Sequence, residues 1–181
     1  MLKFTNKILI YFILFIFCSA HSPWSSYLNY RAKHLLIMSV KTDAPTYPFS
    51  ELLIKYINKE LPEAQSKPAR AKDFERVQSL FSTNQMPLVL LSKQNAKDLI
   101  NGEGEFKEFG STDANVLYGF GDLILLIQPS LPNRHAWLLL NALKKSKSVF
   151  NDGISPDKLA DIGEAHPGAI MALNGEEMPD S

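Results

Sequence analysis

The first apolar stretch, Ile8-Leu9-Ile10-Tyr11-Phe12-Ile13-Leu14-Phe15-Ile16-Phe17, follows Lys3 and Lys7 and ends on the small set Cys18-Ser19-Ala20. A positive start, an apolar centre and a small-residue end, in that order, predict a secretory signal over residues 1–20. The run is about ten residues, half of the roughly 20 that a membrane-crossing helix needs. The expected outcome is cleavage between Ala20 and His21. Two alternatives stay open, an uncleaved anchor and a lipid attached to Cys18, although Phe17 is bulky where a lipoprotein signal wants a small residue.

Residues 21–33 carry Pro23, Trp24, Tyr27 and Tyr30 without a period and read as an aromatic lead-in arm. His34-Leu35-Leu36-Ile37-Met38-Ser39-Val40 is a continuous apolar run of strand length, of the kind covered on both faces in a parallel sheet. After the polar turn 41–46 the period changes. Phe49, Leu52, Leu53, Tyr56 and Ile57 recur at helical spacing, with Pro48 suited to a first turn and Pro62 stopping the run. Pro68-Ala69-Arg70-Ala71 is a second strand. Asp73 caps a second helix carrying Phe74, Val77, Leu80 and Phe81. Met86-Pro87-Leu88-Val89-Leu90-Leu91 is a third strand, and Ser92 caps the helix through Ala96, Leu99 and Ile100 to Gly102.

Strands alternating with helices in this way imply right-handed crossovers. The predicted fold class is α/β, a three-layer, parallel-rich sheet with helices on both faces. Residues 102–113 read as a surface loop, and residues 116–121 lead into another buried strand, Leu123-Ile124-Leu125-Leu126-Ile127, which Pro129 and Pro132 end. A helix over 135–143 ends on Lys144 and Lys145. Ser155-Pro156 opens a final short helix, His166-Pro167-Gly168-Ala169 makes a turn, and residues 174–181 form a disordered tail. The single α/β domain is expected over 34–173.

Composition narrows the function classes. Removing Lys3 and Lys7 from 19 basic residues leaves 17 against 19 acidic, a formal charge of −2, which gives no footprint for nucleic acid. Cys18 is the one cysteine, so cleavage after Ala20 leaves a chain without thiols or disulfides. Membrane association is expected only through a retained signal or a lipid.

Motifs for chemistry are sparse, and neither a cofactor nor catalysis is expected. Gly102-Glu103-Gly104-Glu105 follows a helix and brings acids, not the lysine of a phosphate loop. His21, His34, His135 and His166 lack metal spacing. Ser92 follows a strand but without the glycines of a nucleophile elbow. Nothing fixes the separation of Asp73, Glu75, Glu103 and Glu105 as catalytic carboxylates. More informative are the loops at the carboxyl ends of the strands, where open parallel sheets bind ligands near helix N-termini. Thr46, Tyr47, Asp73, Ser92 and Asn95 are the candidate contacts there for a small organic anion, an amino acid or carboxylate. Thr46, Asp73 and Ser92 also have a structural reading as helix caps.

The order of elements, Thr42-Asp43-Ala44-Pro45-Thr46-Tyr47-Pro48 after a strand, the string 96–106 with its Asn101-Gly102 turn and Phe106, and His166-Pro167-Gly168-Ala169 together resemble the TAXI-type periplasmic solute-binding proteins, the receptors of TRAP transporters. The likeness covers roughly 35–169 and departs from the family in lacking glycines in the first loop. The resemblance implies one lobe of a type 2 periplasmic-binding fold. The family's second lobe is missing, and residues 128–132, running straight into a helix, are where its absence is expected. The expectation is an exported, periplasmic, non-catalytic binder of a small organic anion or of a protein partner, a second copy of the chain included. The alternatives are an accessory factor for an enzyme or transporter, with the arm as its docking element, and an enzyme built from the same loops.

Overall fold

The computed structural model describes residues 33–180, apart from the side chains of 147 and 148. The predicted signal, and the predicted arm apart from Lys33, lie outside the described residues. His34–Ser181 forms one compact unit.

The alternating half of the chain folds as its periodicity requires. Strand β1 (Leu36–Val40) is buried at all five positions. Helix α1 (Thr46–Glu60) turns Leu53, Ile54, Tyr56 and Ile57 inward. Strand β2 (Lys67–Ala71), helix α2 (Phe74–Ser82), strand β3 (Leu88–Ser92) and helix α3 (Lys93–Asn101) follow. β1 pairs in parallel with both β2 and β3.

The second half departs from the expected pattern. Residues 115–127 form two strands, β4 (Asn115–Phe120) and β5 (Leu123–Ile127), joined by the Gly121-Asp122 turn. A two-residue turn can reverse a chain but cannot make a crossover. β5 therefore runs antiparallel to β3 on one side and to β4 on the other. With the short β6 (Gly153–Ile154), the sheet is six-stranded and mixed, in the order β2-β1-β3-β5-β4-β6. Gly119 interrupts the apolar run of β4 because the strand is crowded. A Cβ there would lie 3.0 Å from Leu159 and 3.2 Å from Ile154.

Alternation along β1, β3 and β5 feeds two apolar layers. Ile37, Leu88, Leu90, Leu125 and Ile127 face α1 and two later helices, α4 (Asn133–Lys144) and α5 (Pro167–Asn174). Met38, Val40, Val89, Leu91 and Leu126 face α2 and α3. The α/β, three-layer expectation holds, with parallel strand pairing among β2, β1 and β3 and one isolated parallel bridge between Val116 of β4 and Ala165. Each large apolar side chain buried this way contributes roughly 1.5–3 kcal/mol.

Several local expectations are corrected by packing. The stretch after α3 is not a plain surface loop. Gly102 ends the helix at φ +70°, Gly104 sits so close that a Cβ would overlap the Asp98 carboxylate, and Phe106 is fully buried against Phe74, ring centroids 5.3 Å apart. At 156–158 there is one 3-10 turn. The chain after α5 is fastened at its start, because Glu176 N–H donates to Met171 O and Trp137 Nε1 donates to Glu176 O at 3.1 Å.

His166-Pro167-Gly168-Ala169 opens α5 instead of making an isolated turn. His166 Nδ1 accepts from Gly168 N–H at 3.2 Å, and Pro167 occupies the first turn. Gly168 is required by contact: a Cβ would stand 2.2 Å from Asn133 O at the start of α4. The bond to Nδ1 puts the imidazole proton on Nε2, which faces the Pro129 and Leu131 carbonyls without reaching hydrogen-bond geometry. Burial holds this histidine below its ordinary 6.5, outweighing the two carbonyls.

Two outcomes follow from this corner. Gly168→Ala destabilises the fold by about 3 kcal/mol through overpacking, read as a lower urea midpoint at unchanged slope. Because the unfolded chain takes up a proton near pH 6.5 that the folded chain refuses, stability is full above that pH. It declines as pH falls from there toward the lower native value. His166→Asn, which keeps an acceptor for Gly168, removes that part of the slope in a pH series of denaturation curves.

Candidate functional site

The carboxyl ends of β1, β2, β3 and β4 share one edge of the sheet, because β4, antiparallel to β5, runs with β3. The loops at 41–46, 72–73, 92–95 and 121–122 lie along it. Residues 128–132 follow the carboxyl end of antiparallel β5 and so lie at the opposite edge.

The centre of the strand-end edge is Asp43, which stands in the polar turn after β1, with no local spacing to mark it as a site. Its side chain is buried, with the residue 7% exposed. Oδ2 accepts from Ser92 N–H at 2.8 Å and from Asn95 Nδ2 at 3.0 Å. A carboxylate in this position lies at the positive end of α3, where the helix dipole favours it. The next residue, Lys93, donates its N–H to Asp122 O at 2.7 Å. The start of α3 is thus tied to the first strand end and to the β4–β5 turn.

The predicted contacts divide into two groups around this tie. Thr46 is fully buried, and its hydroxyl donates to Asp43 O at 2.7 Å, closing the turn from inside the helix instead of capping it. Ser92 stands at the cap position of α3 but makes no capping bond through its hydroxyl. Its N–H and the Asn95 amide hold Asp43. Thr46, Ser92 and Asn95 are therefore brought together, by an acid that belongs to the chain. Tyr47 and Asp73 lie toward β2. Asp73 is a cap, as expected, its Oδ1 accepting from Arg76 N–H at 2.9 Å. Tyr47 supports Arg70, whose guanidinium carbon lies 4.1 Å from the ring centroid.

No family model matches the chain, and no curated protein matches it.

Electrostatics at the edge point to anchoring. Lys97, with Lys93, holds the exposed Asp161 below the usual carboxylate range, the Lys97 hydrogen bond leading, and so fastens the loop after β6 to α3. Tyr56 and Tyr118 are pushed up by burial within the core. Among the described residues no group of three His, Cys, Asp or Glu side chains is arranged to hold a metal. The predicted carboxylate candidates stay apart in role, Asp73 at the cap and Glu75 in the first turn of α2, Glu103 and Glu105 in the glycine-bounded segment after α3.

Asp43 could have been suspected from its place at a strand end before a Pro, and Arg70 from the two-residue alternation of β2. Their side-chain partners are 23 or more positions away and leave no local spacing to find.

Asp43→Ala leaves the Ser92 N–H and the Asn95 amide without their acceptor and costs about 3 kcal/mol. Thermal and urea unfolding check this. Ser92→Ala, which removes a hydroxyl that caps nothing, shifts stability by less than about 0.5 kcal/mol.

Proposed function

We propose that the chain is an exported, non-catalytic binding module, a single-lobe relative of the TAXI-type solute-binding proteins, that uses its strand-end edge to engage a protein in the periplasm. The observation that carries the reading is the Asp43 carboxylate on Ser92 and Asn95. The donors expected to receive a small anion already hold an internal one, so a competing free carboxylate would have to displace a covalently tethered group of much higher effective concentration. A partner protein needs no such vacancy. It can contact the loop surfaces around the tie and cover the face that a second lobe would meet.

A lobe facing the strand ends would leave from the edge where β4 ends and β5 begins. On this reading such a lobe would be joined at the Gly121-Asp122 turn, which lies on the strand-end edge, where residues 128–132 lie on the far edge. In this account the module is anchored by no cofactor, and its fixed turn at 121–122 favours a rigid docking edge over a closing cleft.

Isolation of the full chain from the exported compartment after mild crosslinking should yield a defined heavier complex, with a partner or with a second copy. Recovery solely as a monomer contradicts the proposal. Millimolar amino acids and dicarboxylates should leave the melting temperature unchanged, whereas a rise of several degrees would favour the small-anion reading.

A further inference from the structure

Beside the second strand end lies an open depression of about 440 Å3, lined by Arg70, Lys72, Asp73, Glu75, Arg76 and Ser79. Lys72 approaches Asp73 only at 3.6 Å with its side chain 89% exposed, a pair of little consequence. Arg70 and Arg76 form no ion pair with a carboxylate among the described residues. Arg70 is nonetheless positioned, because Tyr47 carries its guanidinium on the ring face and leaves the edge of the planar fork free to donate.

The backbone beneath adds a second feature. β2 is an outer strand of the sheet. Lys67 N–H donates to Leu35 O, and Ala71 O accepts from Lys41 N–H. Positions 67, 69 and 71 therefore direct their backbone groups at β1, and Pro68 and Arg70 direct theirs outward. Pro68 has no donor. Arg70 presents one N–H and one C=O. Such an edge accepts one main-chain pair and blocks a longer ladder.

From this combination we infer that the β2 edge receives an extended acidic segment of the protein partner. One residue of the segment pairs with the Arg70 main chain, and carboxylates on either side of it meet the Arg70 and Arg76 guanidiniums, which take carboxylates in two-point fashion. A free small anion fits less well, because the depression is open where small-ligand sites enclose most of their ligand. Asp73 and Glu75 repel a dense polyanion, so nucleic acid is disfavoured at the same rim. The inference rests on the reading of the chain as a protein-binding module and names the chemistry of its partner.

The test is an amide NMR titration of the full chain with an acetylated, amidated Glu-Val-Glu-Val-Glu peptide and with its Gln-for-Glu counterpart. The acidic peptide should shift amides of residues 68–76, and the response should weaken severalfold when salt is raised to about 0.5 M. Arg70→Glu with Arg76→Glu, unchanged in circular dichroism and melting temperature, should weaken binding at least tenfold. Three results overturn the inference: no response to the acidic peptide at millimolar concentration, an equal response to the neutral one, or wild-type binding by the folded double variant. Glutarate reproducing the same shifts at equal strength also overturns it, in favour of a small-anion site. If the full chain recovers a partner equally well with both arginines reversed, this edge is wrong while the module reading stands. If the unaltered chain recovers none, the module reading itself fails.

Discussion

A buried carboxylate must be met by donors, and meeting that demand at Asp43 organises the whole strand-end edge. The side chain leaves the turn after β1, passes the edge of the sheet and accepts from the first residues around α3. Thr46 secures the same turn from below through the Asp43 carbonyl. Lys93 N–H, one residue further, fixes the β4–β5 turn. Three connections that are far apart in sequence are thereby held in one register. An unpaired charge there would be costly, so the tie is either complete or the edge rearranges.

The rest of the architecture gives this tie a rigid base. β1, β3 and β5 are covered on both faces, and each residue pair along them feeds opposite apolar layers. At one side of the sheet Pro68 interrupts the free edge of β2. At the other, β6 and the 164–166 segment cover β4, with Val116 N–H donating to Glu164 O and His166 N–H donating to Val116 O. Among the described residues, loops gather at one rim, and β2 offers a sheet edge with a single open main-chain position. Both are surfaces for another chain more than enclosures for a small molecule, which is why the proposed function places recognition on them.

Much of the fold was legible because burial on both faces writes continuous apolar runs. His34 to Val40 and Met86 to Leu91 announce central strands, and the change to helical spacing at Phe49 and at Phe74 announces their crossovers. β4 was missed because Gly119 breaks its run, and Gly119 is there for a contact with Leu159 and Ile154. The direction of β5 was hidden in the length of one turn. The site was less legible for a similar reason. Asp73 caps the residues next to it and could be read locally, whereas Ser92 and Asn95 make sense only once Asp43, about fifty positions earlier, is set beside them. His166-Pro167-Gly168-Ala169 shows the converse: a string that resembles a family signature is explained here by a helix start and by the close passage of Gly168 against Asn133.

The central claim is that the anion position at the start of α3 is filled from within. The most direct measurement is the effect of added formate on the melting temperature of the Asp43→Gly variant compared with the unaltered chain. Formate should raise the melting temperature of the variant, by replacing the missing carboxylate on Ser92 N–H and Asn95, and should leave the unaltered chain where it was. A rise of equal size in the unaltered chain, or none in a variant that is folded, would contradict the account.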